Sequence, residues 1–178
     1  MRVVAGAYKG HRLAAPKRGS TRPTQDRVRE ALFSILGNVR AARVLDLFAG
    51  SGALGIEALS RGARECTFVD SDGAATRAIR ENLRRLGAET GHVIRSDALV
   101  FLRAAARRDR RWDLVFCDPP YRLAHRLADD LDELLPRVLA KKARVVCESA
   151  TRQPLKLGLP LVRERTYGDT LIAVYSSR

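Results

Sequence analysis

Apolar positions along the chain recur with two different periods, and the changes of period mark out its elements. Val44-Leu45-Asp46-Leu47-Phe48 is a short, nearly continuous apolar run, the pattern of a strand covered on both faces. Similar runs stand at Cys66–Asp70, His92–Ile94, Trp112–Cys117 and Ala143–Glu148. Between them lie stretches of helical period at Ala53–Arg61, Ala74–Leu86, Ala98–Ala106 and Leu123–Leu135. Ile79, Leu83 and Leu86 share one face of the second, and Gly62 and Gly87 stop the first two. Strand–helix alternation of this regularity predicts an α/β fold, a mostly parallel sheet with helices on both faces.

Both ends of the chain depart from that alternation. Leu161–Tyr167 and Thr170–Tyr175 flank Gly168-Asp169, which predicts a C-terminal antiparallel hairpin with a two-residue turn. At the N-terminus, Arg2–Ala5 and Arg12–Ala14 read as short strands around a Gly/Lys turn, and Ser20–Pro23 as a loop. A helix is expected from Thr24 as N-cap, through Val28, Ala31, Leu32, Ile35 and Leu36, to a stop at Gly37. The chain is therefore divided into an N-terminal basic extension, 1–40, and an α/β domain, 41–178.

Composition narrows the picture. A hydrophobic share of 46% over 178 residues supports a real core and one domain. No apolar run approaches the ~18 residues of a membrane span. Met1–Gly10 lacks the apolar segment of a secretory signal, so a soluble cytoplasmic protein is expected. Cys66, Cys117 and Cys147 form no CxxC pair and sit in strand-like runs; buried thiols are expected, with no metal site.

The net charge of +13 suggests a polyanionic partner, nucleic acid before an anionic membrane. Of the 33 cations 28 are Arg, a skew that coding bias toward Arg also produces. The charge is uneven, however. Residues 1–29 hold Arg2, Lys9, Arg12, Lys17, Arg18, Arg22, Arg27 and Arg29 against the single acid Asp26. The later run from Arg103 to Arg111 reads as a solvated turn.

Three constellations carry chemistry. Gly50-Ser51-Gly52-Ala53-Leu54-Gly55 fits G-x-G-x-x-G between a strand and a helix, and Asp70 follows 20 residues after Gly50. In nucleoside-binding α/β folds an acid there meets a ribose hydroxyl. Asp46 stands four residues before the first glycine. A carboxylate suits a ligand with an ammonium group, such as S-adenosylmethionine, better than a pyrophosphate. Asp97 could accept from an adenine amine, cap the helix that begins at Ala98, or do both.

The third constellation is Asp118-Pro119-Pro120-Tyr121, after Leu114–Cys117. An exocyclic base amine is a poor nucleophile because its lone pair is delocalised into the ring. The Asp118 carboxylate and the Pro119 carbonyl supply acceptors for its N–H groups. The prolines add no competing donors, and Tyr121 supplies a stacking face.

Val44–Gly52 and Asp118–Tyr121 resemble motifs I and IV of S-adenosylmethionine-dependent amino-methyltransferases. The resemblance is closest to the RsmD-type enzymes, which act on guanine N2 of bacterial 16S ribosomal RNA. It rests further on Met1–Gly6, Lys9-Gly10, Arg12-Leu13, Arg22-Pro23-Thr24, Asp26–Glu30 and Phe48–Gly62. It implies a Rossmann-like, seven-stranded methyltransferase sheet behind a small N-terminal extension. Asp46, Phe48, Ala49, Gly50, Ser51, Gly52, Asp70, Ser71, Asp97 and Ala98 would hold S-adenosyl-L-methionine. Asp118, Pro119, Pro120 and Tyr121 would hold the target guanine. Lys9, Arg12, Lys17, Arg18, Arg22, Thr24, Arg27 and Arg29 would meet RNA, with 22–29 near the active-site mouth.

The implied partner is 16S ribosomal RNA, within an assembled or partly assembled small subunit, and the implied protein is a monomer. The acid after the second strand is often Glu in this fold. Here either Asp70 or Asp72 could reach the ribose. An adenine-N6 or cytosine-N4 DNA methyltransferase, and a non-catalytic RNA-binding assembly factor, remain as alternatives.

Overall fold

In the computed structural model, which describes residues 1–16 and 26–177, seven strands form a single sheet. In chain order the elements are α1 (Asp26–Leu36), β1 (Arg43–Leu47), α2 (Ala53–Ser60), β2 (Glu65–Asp70), α3 (Gly73–Leu86), β3 (Gly91–Arg95), α4 (Ala98–Arg107), β4 (Trp112–Cys117), α5 (Tyr121–Leu134), β5 (Leu139–Ala150), β6 (Leu161–Tyr167) and β7 (Thr170–Ser176). A short 3-10 turn, Leu135–Arg137, follows α5.

The sheet order is β3-β2-β1-β4-β5-β7-β6. The first five strands are parallel; β7 inserts antiparallel between β5 and β6. The expected α/β class and C-terminal antiparallel hairpin are therefore observed. The order reverses between β1 and β4, and a crevice at the C-terminal ends of those strands is where open α/β sheets bind ligands.

Two apolar layers clamp the sheet. Leu32 and Phe33 of α1, Ile56 of α2 and Ile79 of α3 pack with Val44, Phe68, Phe116 and Val146 on one face. Leu102 of α4 and Leu131 of α5 pack with Leu45, Leu47, Val115 and Val145 on the other. Odd and even strand residues thus go to opposite layers, as a pleated strand dictates. The three cysteines are buried free thiols. Among the described residues no helix is long and apolar enough to cross a membrane.

The N-terminal arm differs from two paired strands. Arg2 and Arg12 meet in one isolated bridge. Several other backbone donors of the arm go to helix side chains instead. Val4 and Ala5 donate to the two carboxylate oxygens of Glu57, and Ala14 donates to Asn82. Val3 and Leu13 are buried in the same layer as Leu32, Val44 and Ile56. The arm thus lies along α2 and α3 without adding a ladder to the sheet.

Two other elements start two or more residues earlier than expected. α5 begins at Tyr121, directly after Pro120, two residues before the expected start; prolines cost a helix little where no intrahelical N–H is needed. β5 runs from Leu139, four residues earlier than its apolar core suggests, because a register shift with β4 and the left-handed Lys142 absorb an irregular start. The expected N-cap Thr24 and loop Ser20–Pro23 lie outside the described residues.

Candidate active site

The chain leaves β1 through a turn in which three residues have positive φ: Phe48 at 59°, Gly50 at 55° and Gly52 at 76°. Phe48 holds this left-handed conformation at a cost that a side chain normally avoids. At Gly52 a Cβ would also come within 3.1 Å of Ile79 Cγ1, so the turn needs glycine for conformation and space alike. Gly55 has a different reason. A Cβ there would stand 2.3 Å from the Phe68 ring and 2.6 Å from Cys66 Sγ. Its absence lets α2 lie close on β2.

That close approach binds Asp46. Its Oδ2 accepts the Gly55 amide at 2.9 Å, and the residue is 3% exposed. Burial pushes its carboxyl from the ordinary 3.8 up to about 8; the Gly55 bond lowers it and nearby Asp70 raises it. Asp46 is thus a buried acid under the glycine turn, protonated near neutral pH unless a cation comes to it.

Beside the turn lies a cleft lined by Phe48, Asp70, Ser71, Asp97, Leu99 and Pro120, among others. Phe48, Asp70, Ser71, Asp97 and Ala98, all expected at the cofactor, line it. Asp46, Ala49, Gly50, Ser51 and Gly52 form the strand end and turn next to it rather than its walls. Asp70 and Asp72 have separate surroundings. Asp70 accepts from Gly50 N through Oδ2 and from Asp72 N through Oδ1, each at 2.8 Å. Asp72 caps α3 by accepting from Ala74 N. Asp97 caps α4, its Oδ1 taking the amides of Leu99 and Val100.

The Asp-Pro-Pro-Tyr segment leaves β4 next to this cleft. Cys117 is the register partner of Leu47 on one side and Cys147 on the other, so Asp118 stands between the ends of β1 and β5. Pro119 is buried, and Pro120 is exposed and joins the cleft. Tyr121 opens α5. Asp118 is pushed well above the usual carboxylate range, first by burial and then by Glu148 and Asp46. Three carboxyl groups therefore converge from the ends of β1, β4 and β5. Glu148, 5% exposed, is the residue that sequence reasoning missed. Its signal was available: an acid directly after the apolar run Val145-Val146-Cys147.

The basic residues of the N-terminal segment divide three ways. Lys9, Arg12 and Arg27 are exposed. Lys9 sits in a turn whose neighbours Ala7 and Tyr8 bond to Ser60, at the end of α2 away from the glycine turn. Arg29, expected on RNA, is instead buried with 0% exposure. It donates to the Arg2 carbonyl and to Asp26, and ties α1 to the N-terminal arm. Its place on the apolar side of α1, one residue after buried Val28, accounts for the difference. Lys17, Arg18, Arg22 and Thr24 lie outside the described residues.

Residues 1–176 match the model of a family described as "Conserved hypothetical protein 95". Ribosomal RNA small subunit methyltransferase D of Escherichia coli is 37% identical over 185 residues, with 98% of this chain and 89% of that protein covered. A solved structure of a hypothetical protein from Thermus thermophilus superposes with a TM-score of 0.85 at 34% identity, covering 99% of both chains. The tRNA (guanine(10)-N2)-dimethyltransferase of Methanothermobacter thermautotrophicus is 37% identical over 103 residues, covering 57% of this chain and 29% of that protein.

Proposed function

This chain belongs to the RsmD-type family, matched as "Conserved hypothetical protein 95" over residues 1–176, and from that premise we propose that it is an S-adenosylmethionine-dependent methyltransferase of 16S ribosomal RNA acting on the N2 amine of a guanine. One observation carries the reading: the glycine turn with Asp70 and the Asp-Pro-Pro-Tyr segment open side by side, on neighbouring strands β1 and β4. Two relatives support it by name, one a small-subunit rRNA methyltransferase and one a guanine-N2 enzyme.

The residues of the cleft suit the cofactor. Phe48 and Leu99 offer apolar surface to an adenine ring. Each Asp70 oxygen accepts one backbone amide and keeps a lone pair for a ribose hydroxyl. Asp97 Oδ2 is the oxygen that neither capping amide takes, and it can accept from the adenine amine. Asp46 is a buried acid that a cationic group would ionise. S-adenosylmethionine, when bound, supplies a methyl group activated by its sulfonium.

The chain's own part is positioning and charge stabilisation. Asp118 and the Pro119 carbonyl accept the two N–H groups of the target amine. They favour a pyramidal nitrogen and stabilise the positive charge that grows on it. The proton leaves late, to Asp118 or to water. Tyr121 stacks on the base. Exposed Arg12 and Arg27, with Lys17, Arg18 and Arg22, meet RNA phosphates. Residues 1–40 serve as the docking extension and 41–178 as the methyltransferase domain of a cytoplasmic monomer acting on an assembled or partly assembled small subunit.

The test is direct. The protein is incubated with labelled S-adenosylmethionine and free 16S rRNA, small subunits lacking the modification, or duplex DNA, and nucleosides are identified by mass spectrometry. N2-methylguanosine is the expected product. N6-methyladenine or N4-methylcytosine in a DNA substrate would establish the DNA-modifying alternative. No transfer to any substrate would establish the non-catalytic one.

A further inference from the structure

Glu148 has no role in the chemistry described so far, yet it is a 5% exposed acid set beside Asp118. β4 and β5 are parallel, with Phe116 opposite Val146 and Cys117 opposite Cys147. One step further along, Asp118 and Glu148 become neighbours across strands about 4.8 Å apart. Val146 lies in the layer of α1, α2 and α3, and Cys147 in the opposite layer. Strand alternation therefore returns Glu148 to the side of Val146, where its β7 partner Ile172 is also buried. Asp46, in the row of Phe116 and Val146, shares that side. Burial first, and then Glu148 and Asp46, hold the Asp118 carboxyl well above its usual range. Hydrogen-bond donors brought to Asp118 by a ligand favour its ionised form.

The bases differ in what they bring. Next to its N2 amine, guanine carries N1–H, so that edge presents adjacent donors. Next to the exocyclic amine, adenine presents N1 and cytosine presents N3, and both are acceptors. Two carboxyl groups match the first edge and repel the other two. A carboxyl that retains a proton still has an acceptor oxygen, so the match does not require both to be ionised.

We infer that Glu148 accepts the N1–H of the target guanine while Asp118 accepts from its N2 amine, so that the Asp118–Glu148 pair selects guanine over adenine and cytosine. This rests on the guanine-N2 reading above and names the residue that would make it specific. It assigns Glu148 to base recognition, with Asp118 and Pro119 left to activate the amine.

The experiment uses small-subunit RNA in which the target guanine is replaced by 2-aminopurine. That base keeps the N2 amine and has a bare acceptor at N1. The wild-type protein is expected to favour guanine by on the order of 10- to 100-fold in kcat/KM. Glu148→Gln is nearly isosteric, and its amide can donate to N1. The variant should lose activity on guanine, gain on 2-aminopurine, and bring the ratio near or below one, with cofactor affinity unchanged. A guanine preference equal to that of wild type in Glu148→Gln would overturn the assignment. If that variant does not fold, the wild-type ratio decides alone: equal kcat/KM on both bases overturns the inference. Absence of N2-methylguanosine from the wild-type reaction on unsubstituted RNA would instead overturn the guanine-N2 reading on which it rests.

Discussion

Asp70 closes the glycine turn from the neighbouring strand: its Oδ2 accepts the Gly50 amide at 2.8 Å, across 20 residues of sequence. The same carboxylate lines the cleft, whereas Asp72 commits its side chain to the first turn of α3. The two acids should therefore separate by experiment. Asp70→Ala is expected to weaken binding of S-adenosylmethionine by about tenfold or more, through the loss of charge-assisted acceptors. Asp72→Ala should leave affinity intact and cost about 1 kcal/mol of stability, the usual effect of losing an N-cap. Titration calorimetry and thermal melting measure both, and loss of affinity confined to Asp72→Ala would reverse the assignment.

Asp118 stands apart from the cleft walls that suit the cofactor, so removing it should uncouple binding from turnover. Asp118→Ala is expected to abolish methyl transfer while cofactor affinity stays within about twofold. Its stability should not fall sharply, because the substitution also removes a half-buried acid whose ionised form is disfavoured by desolvation, Glu148 and Asp46. Full activity in this variant would remove Asp118 from the mechanism.

Asp46 gives the protein a pH signature. Burial lifts its carboxyl from 3.8 to about 8, so between those values the folded protein holds a proton that the unfolded chain has released. Stability contributed by this group is complete at low pH and is lost as pH rises toward 8, with a slope of up to about 1.4 kcal/mol per pH unit. Asp46→Asn keeps an oxygen for the Gly55 amide and removes the titration. Melting of the cofactor-free protein from pH 5 to 8 should decline less steeply in the variant than in wild type. Identical slopes would show that Asp46 titrates elsewhere.

The alternation of buried runs and helical stretches made the sheet legible, because parallel strands covered on both faces leave a continuous apolar signal such as Leu114–Cys117. The hairpin at Gly168-Asp169 was legible from its turn residues. The site's acids were visible as residue types, but their environments were not. Nothing in the spacing of Asp46 says that Gly55 lets α2 settle onto β2 and bury it. Glu148 shows in the sequence only as an acid closing an apolar run, and its importance comes from register: it meets Asp118 only once β4 and β5 pair. Arg29 misled for a related reason. In sequence it belongs to a run of cations, while its position on α1 turns it toward Arg2 and Asp26. Local pattern reports burial and period; it does not report which neighbour a long-range fold supplies.

Glu57 shows the same dependence in the N-terminal arm. Its oxygens accept Val4 N at 2.7 Å and Ala5 N at 3.0 Å, and Arg61 Nε also bonds to it at 2.8 Å. The residue has 0% exposure. Glu57→Ala would strand two amides and a guanidinium at once, a loss of about 3–5 kcal/mol for a broken buried pair. Chemical denaturation should report it, and hydrogen exchange at Val4 and Ala5 should accelerate more than exchange in β4. Unchanged protection at those amides would mean that other contacts hold the arm.

The basic residues likewise divide between exposed and buried positions, and salt dependence can tell docking from structure. A cation that meets a phosphate displaces a counterion, so removing it lowers the slope of log K against log salt by roughly 0.7 to 0.9. Exposed Arg12 and Arg27 should behave so on reversal to Glu, as should Arg18 and Arg22. Arg29 should not, because it is enclosed between Asp26 and the Arg2 carbonyl. Arg29→Ala is expected to lower the melting temperature and leave the salt slope intact. Binding to 16S rRNA measured between about 50 and 200 mM salt covers the useful range. Were all the reversals to leave the slope unchanged, the excess of arginine would be a property of composition. Were only the exposed set to flatten it, the N-terminal charge would be a docking surface held in place by Arg29.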